Sequence, residues 1–141
     1  MNNDGPIIVI EDDLEDQFLI GETFKNLAYE NPVLFFEDGF KALSYLNETD
    51  TKPLLILSDI NLPRINGMEV RDEVQHNQHI NVKCIPYLFF TTATNQKFVI
   101  DAYCSSIQGF FQKPASFQDF EKTIRIIVDY WKVCIRPDEC Y

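Results

Sequence analysis

Positive charge is scarce in this chain: 12 Lys and Arg stand against 22 Asp and Glu, for a formal net charge of −10 over 141 residues. Such a surface repels a polyanion, so binding to a nucleic-acid backbone is not expected. Long apolar runs are missing too. No stretch approaches the roughly 20 residues that cross a bilayer, and Met1 to Gly5 has neither the basic nor the apolar region of a signal peptide. The expected location is therefore the cytoplasm, without membrane insertion. Cysteine is limited to Cys84, Cys104, Cys134 and Cys140, with no CxxC pair, a pattern that suits a reducing compartment. His76 and His79 are the two histidines. They lie at helical spacing with no cysteine nearby, which argues against a structural zinc site; exposed imidazoles and buried thiols are the expectation.

What is present is apolar sequence in short pieces. Hydrophobic residues make up 45% of the chain, enough for one packed domain and too little length for two. A single domain over 1–141 is expected, with its core over 6–133 and a frayed tail at 137–141. Apolar, β-rich runs recur at Pro6–Ile10, Pro32–Phe36, Leu54–Leu57, Ile85–Phe90 and Gly109–Phe111, each followed by a segment of helical character. Continuously apolar strands such as Leu54-Leu55-Ile56-Leu57 must be buried on both faces, which in an alternating chain means a parallel sheet between helix layers. The expected fold is a doubly wound α/β domain with five strands and five helices. The first helix, Leu14 to Tyr29, sets Phe18, Gly21, Phe24, Leu27 and Ala28 on one side, with Gly21 allowing close approach to the sheet. A second follows Asp38-Gly39 over Phe40–Leu46. The last carries an apolar stripe of Phe117, Phe120, Ile124, Ile127 and Trp131, with Ser116 as its cap and Asp119 three residues on.

In an open parallel sheet, ligands bind beyond the carboxyl ends of the strands, where the strand order reverses. The first strand runs into Glu11-Asp12-Asp13, the third into Ser58-Asp59, the fourth into Thr91-Thr92 and the fifth reaches Lys113-Pro114. Two unit charges 4 Å apart repel by about 4 kcal/mol at an effective dielectric of about 20. Crowded carboxylates must therefore take up protons or share a hard cation with oxygen ligands, and Lys113 alone cannot neutralise three acids. A divalent ion is the better answer. Acids also cap helix starts and complement the dipole, and that plain role is assigned to Asp13 and Asp16. Asp12 and Asp59 differ because each directly follows a buried apolar strand.

These residues resemble the receiver domain of two-component response regulators, over Ile7 to Trp131. Ile8-Val9-Ile10-Glu11-Asp12-Asp13 is similar to the family's acidic first-strand motif, and Ser58-Asp59-Ile60-Asn61-Leu62-Pro63-Arg64-Ile65-Asn66-Gly67 to its phosphoacceptor motif. Pro86 to Thr91 resembles its fourth strand with the switch hydroxyl, and Gly109-Phe110-Phe111-Gln112-Lys113-Pro114 its fifth with the family's lysine. The Glu11 to Asp16 opening and the Asp129-Tyr130-Trp131 close are most similar to stand-alone, single-domain receivers.

The resemblance implies a flavodoxin-like sheet in strand order 2-1-3-4-5 with helices on both faces. It makes Asp59 the phosphoacceptor, taking a phosphoryl group from a sensor histidine kinase or histidine phosphotransfer protein. Magnesium, for which manganese can substitute, would be held by Asp12, Asp59 and the backbone carbonyl of Asn61, with Glu11 acting through water. Lys113 would pair with one phosphoryl oxygen and Thr91 with another once the group is in place. Thr92 stands beside the same site, where its bulk narrows access. Phe110 takes the aromatic switch position, and Lys113-Pro114 is expected to be a cis peptide. Ser106 stands where the family commonly has glycine. Asn61 and Ala93 occupy positions that modulate dephosphorylation. The output would be an unidentified downstream protein bound at the face of the fourth helix, fifth strand and fifth helix, including Phe98, Tyr103 and Phe111. The protein would be a phosphoacceptor with slow autodephosphorylation rather than a turnover enzyme.

Three competitors share the architecture. A flavodoxin-like cofactor binder would need a phosphate-cradling loop after the first strand, where Glu11-Asp12-Asp13 would repel it. A phosphatase of the haloacid dehalogenase type would carry Asp-x-Asp after its first strand, whereas here the site is on the third and Asn61 follows Asp59 by two. A pseudo-receiver would keep the fold and signal without phosphate.

Overall fold

The computed structural model describes residues 4–92 and 95–136. Its elements run β1 (Ile7–Ile10), α1 (Leu14–Leu27), β2 (Val33–Phe36), α2 (Gly39–Glu48), β3 (Leu55–Ser58), α3 (Gly67–His76), α4 (Gln78–Asn81), β4 (Tyr87–Thr91), α5 (Gln96–Cys104), β5 (Gly109–Gln112) and α6 (Phe117–Val133). The strands form one parallel sheet in the order β2-β1-β3-β4-β5. The chain steps outward from β1 to β2 and then back across β1 to β3, so the strand order reverses between β1 and β3.

Alternation along the strands sorts the core into two layers. Ile8, Ile10, Ile56, Tyr87 and Phe89 face Ala42 and Leu46 of α2, Val70 and Val74 of α3, Ile80 of α4 and Ala102 of α5. Ile7, Val9, Leu55, Leu57, Leu88 and Phe90 face Ile20 and Phe24 of α1 and Phe120, Ile124, Ile127 and Val128 of α6. Strands β1, β3 and β4 are buried along their whole length, whereas β2, at the sheet edge, is only partly covered.

Side-chain caps set the helix starts by satisfying amides that the first turn leaves open. Asp13 accepts from the Glu15 and Asp16 amides, Asp38 from Lys41, and Ser116 from Asp119. Asn66 and Glu69 form a reciprocal capping box on α3. Asn77 both ends α3 and caps the single turn α4, which buries Ile80. That extra turn raises the expected five helices to six, and the face expected from the fourth helix, fifth strand and fifth helix is formed by α5, β5 and α6. At the far end of α1, Ala28 takes a left-handed φ of 56° and its amide closes on Phe24, ending the helix two residues before the expected Tyr29.

The apolar stripe expected for α1 is rotated, and that for α6 is altered at its first position. In α1 the buried residues are Ile20, Thr23 and Phe24, and Phe18 is 66% exposed. Thr23 can be buried because its hydroxyl donates to the Leu19 carbonyl. A Cβ on Gly21 would meet only the Phe35 ring at 3.9 Å, ordinary contact, so no close helix–sheet approach depends on that glycine. In α6 the expected stripe holds at Phe120, Ile124 and Ile127, which are buried, and at Trp131, which packs against them; Phe117 is exposed, and Val128 joins the core.

The expected buried thiols are not found. Cys104 is exposed and free, and Cys134 is half-buried and free. Cys84, at a surface turn with φ 53°, is disulfide-bonded, because spacing along the chain does not measure distance in space. Cys140 and the expected tail at 137–141 lie outside the described residues. Both histidines are exposed, as expected.

Gly67 brings α3 up against the end of β3. A Cβ there would fall 2.1 Å from the Asp59 carbonyl oxygen and 2.9 Å from Ile60 Cα, and the Gly67 amide donates to the Ile60 carbonyl at 2.8 Å. The backbone behind Asp59 is thus fixed by an absent side chain. Gly67→Ala is expected to cost about 1–3 kcal/mol, the range for overpacking a closed site, read as a lower urea midpoint with an unchanged slope.

Candidate functional site

Sheet register assembles the site. Ile10 pairs with Ser58, and the Asp59 amide donates to the Ile10 carbonyl at 3.0 Å, so the residues just past β1 and β3 emerge side by side. On the other flank Thr91 pairs with Gln112, and the Lys113 amide donates to the Thr91 carbonyl at 2.9 Å. Glu11, Asp59, Thr91 and Lys113 therefore converge at the strand-order reversal.

All four are buried, which is costly for charged groups unless they are paired. Lys113 meets that demand for three acids together. Its Nζ lies 2.6 Å from Glu11 Oε2, 2.7 Å from Asp16 Oδ2 and 2.9 Å from Asp59 Oδ2, which uses all three ammonium hydrogens. Glu11 Oε1 accepts from the Asp13 amide at 3.1 Å. Asp59 Oδ1 accepts from the Ile60 amide at 2.7 Å and from the Thr91 hydroxyl at 2.5 Å.

The two buried acids respond in opposite directions. Burial alone would raise the Asp59 carboxyl, but the Thr91 and Lys113 hydrogen bonds and the lysine charge hold it below the usual carboxylate range. For Glu11, burial outweighs the bond from Lys113, and the nearby charge of Asp59 adds to the rise, so its pKa is pushed up to about 7. The Lys113 ammonium is disfavoured by burial, yet its bonds to Asp16, Glu11 and Asp59 carry it above the ordinary lysine value. At neutral pH Asp59 is thus an anion, Lys113 a cation, and Glu11 sits close to its midpoint.

One carboxylate oxygen each from Glu11, Asp12 and Asp59 lies within 4.8 Å of the others. Three hard oxygen donors so close, one of them on exposed Asp12, suit a divalent cation such as magnesium or manganese. Asn61 is exposed on the loop two residues past Asp59.

The remaining expectations divide. Thr91 already donates to Asp59 in the unmodified protein, so it does not wait for a phosphoryl group to engage. Thr92 is exposed just past β4, outside the hydrogen-bond network around Asp59, and Ala93 lies outside the described residues. Phe110 is half-buried, its ring 5.9 Å from that of Phe89. No cis peptide occurs among the described residues, and Lys113-Pro114 is trans. Trans is intrinsically favoured by about 0.5–1 kcal/mol, and Pro114-Ala115 is link enough to reach the cap at Ser116. Ser106 adopts φ 58°, the left-handed backbone that explains a preference for glycine there.

One residue was missed. Asp16, assigned to the helix dipole, instead reaches Lys113. The available signal was its place: an acid in the first turn of α1, a few residues past the strand end that carries Glu11 and Asp12.

Comparison with known proteins agrees with this geometry. The response regulator receiver domain family matches residues 7–125. Response regulator Rcp1 of Synechocystis is 30% identical over 130 residues, 89% of this chain and 87% of that protein. A probable methanogenesis regulatory protein, FilR2 of Methanothrix harundinacea, is 29% identical over 129 residues, 89% of this chain and 82% of that protein. Among solved structures, the phosphorylated cyanobacterial phytochrome response regulator RcpA superposes with a TM-score of 0.83 at 26% identity, covering 93% of this chain and 96% of that one. The Mn(2+)-bound form of Rcp1 superposes at 0.79 and 28% identity, covering 92% and 96%. With the sheet order, the strand-end acids and the lysine all in place, and the match running from β1 into α6, this chain belongs to the response regulator receiver domain family.

Proposed function

We propose that Asp59 accepts a phosphoryl group from a phosphohistidine of a sensor histidine kinase or histidine phosphotransfer protein, and that the protein signals through this modification rather than turning over an external substrate. The observation that carries this reading is the state of Asp59: a buried carboxylate kept anionic, with its oxygens oriented by Ile60, Thr91 and Lys113. In the transfer a carboxylate oxygen of Asp59 supplies the electron pair of the new P–O bond. The P–N bond breaks and its pair remains on the imidazole nitrogen.

Asp12, Asp59 and the backbone carbonyl of Asn61 would hold magnesium directly, with Glu11 acting through water, and manganese can substitute. The Mn(2+)-bound form of Rcp1 and the carboxylate cluster here support this assignment. Such an ion supplies positive charge against the crowded carboxylates and the transferring oxygens. Lys113 would bond a phosphoryl oxygen, and Thr91 exchanges one acceptor for another without having to travel far. Phe110, packed on Phe89 next to Thr91, links that exchange to the α5-β5-α6 face, where Phe98 and Tyr103 are exposed and Phe111 is half-buried. A downstream protein would read that face.

Intact mass after incubation with acetyl phosphate and magnesium tests the reading. The wild-type chain is expected to gain one phosphoryl group and Asp59→Asn none; equal gain in both, or none in the wild type, contradicts it.

Glu11 gives the reaction a pH signature. Its folded pKa, about 7, lies above the ordinary carboxyl value of 4.5. In metal-free protein its contribution to stability is therefore full below about pH 4.5 and lost as pH rises through about 7. Cation binding needs the ionised form and releases the proton, so magnesium affinity should rise up to about tenfold per pH unit below about pH 7 and level off above it. Calorimetric titration of magnesium at several pH values checks this, with Glu11→Gln expected to flatten the profile.

A further inference from the structure

Asp16 is not needed to hold Asp59, yet it occupies one third of the hydrogen-bonding capacity of Lys113. The three carboxylates on that ammonium are unequally anchored. Glu11 is 2% exposed in its side chain and also accepts from the Asp13 amide; Asp59 is 10% exposed and also accepts from Ile60 and Thr91. The Asp16 carboxylate is 27% exposed, and Lys113 is its one partner among the described hydrogen bonds. It lies at the start of α1 and can turn to water at small cost, whereas the other two cannot leave without stranding a buried charge.

We propose that Asp16 is a releasable counter-ion, a positioning residue that quenches Lys113 in the unmodified protein and competes with the incoming phosphoryl group for it. The proposal rests on the phosphoacceptor reading of Asp59. A phosphoryl group on Asp59 brings close to two negative charges and three acceptor oxygens to the lysine. The ammonium has no free hydrogen for them, so it must give up bonds it already makes, and the added negative charge repels Asp16 as well. The weakest-held partner leaves, freeing one donor of Lys113 while Glu11 keeps another. Asp16 therefore sets how readily the site accepts and retains phosphate, without touching the transferring group.

The test measures beryllofluoride affinity in saturating magnesium. Asp16→Ala should tighten binding about three- to tenfold, the effect of removing one competing charge-assisted hydrogen bond at a part-exposed position. Asp16→Asn, which keeps the volume and a neutral acceptor, should show a smaller gain. Glu15→Gln, the same loss of charge one residue away on an exposed acid, should change affinity by less than about twofold. In the wild type the Asp16 carboxyl carbon resonance should move toward that of an exposed aspartate when beryllofluoride binds, a shift that a merely structural role would not produce. Unchanged or weaker binding in both Asp16 variants, an equal gain in Glu15→Gln, or a stationary Asp16 resonance would overturn the proposal while leaving Asp59 as acceptor. Absence of beryllofluoride binding in the wild type would remove the phosphoacceptor reading and this inference with it.

Discussion

A buried ammonium with three carboxylates around it is the interaction on which the rest of this structure turns. Without Lys113, Glu11 and Asp59 would be like charges side by side in a medium that screens them poorly. With it, Asp59 stays ionised, while burial, reinforced by the charge of Asp59, keeps the Glu11 pKa up at about 7 despite the lysine. One lysine does not neutralise four acids, Glu11, Asp12, Asp16 and Asp59. The residual negative charge makes the strand ends receptive to a hard cation, and the three bonds on Lys113 make it sensitive to any new anion.

The sheet exists, in this respect, to hold those groups at fixed separation. Parallel pairing of β1 with β3 and of β4 with β5 sets Glu11 beside Asp59 and Lys113 beside Thr91. The two core layers leave little room for the strands to slip, since a one-residue shift would exchange the faces of every apolar side chain. Gly67 does the same from behind, letting α3 press on the loop that carries Asp59. Aromatic contacts continue from there: the Phe89 and Phe110 rings meet in the strands that end at Thr91 and just before Lys113. The acid cluster is thus bordered by packed aromatic side chains on its β4 and β5 side.

Much of this was legible in the sequence because strand ends report on function more directly than strand interiors do. The runs of apolar residues mark β1, β3 and β4 as buried on both faces, and an acid, hydroxyl or lysine directly after such a run has few structural reasons to be there. Asp12, Asp59, Thr91 and Lys113 were visible on that basis. Asp16 was not, because an acid in the first turn of a helix has an ordinary explanation in the dipole, and only tertiary geometry shows that it points to Lys113. Periodicity also misjudged which face of α1 is inward, since Thr23 reads as polar until its hydroxyl is paired within the helix. The added turn α4 hangs on Asn77, whose backbone amide closes α3 and whose side chain caps α4. The pairing of Cys84 depends on neighbours in space, and the trans bond before Pro114 on local chain path.

The most direct test of this account is the stability of Lys113→Met, a change that nearly keeps the length and packing of the side chain and removes the ammonium with its charge and three donors. Breaking a buried ion cluster by removing one partner should cost about 3 kcal/mol. In urea denaturation without divalent ions, the loss should be larger at about pH 8 than at about pH 5.5, where Glu11 can take a proton, and saturating magnesium should narrow it. A variant as stable as the wild type at about pH 8 in chelator would show that the carboxylates do not depend on the lysine, and the account would fail at its centre.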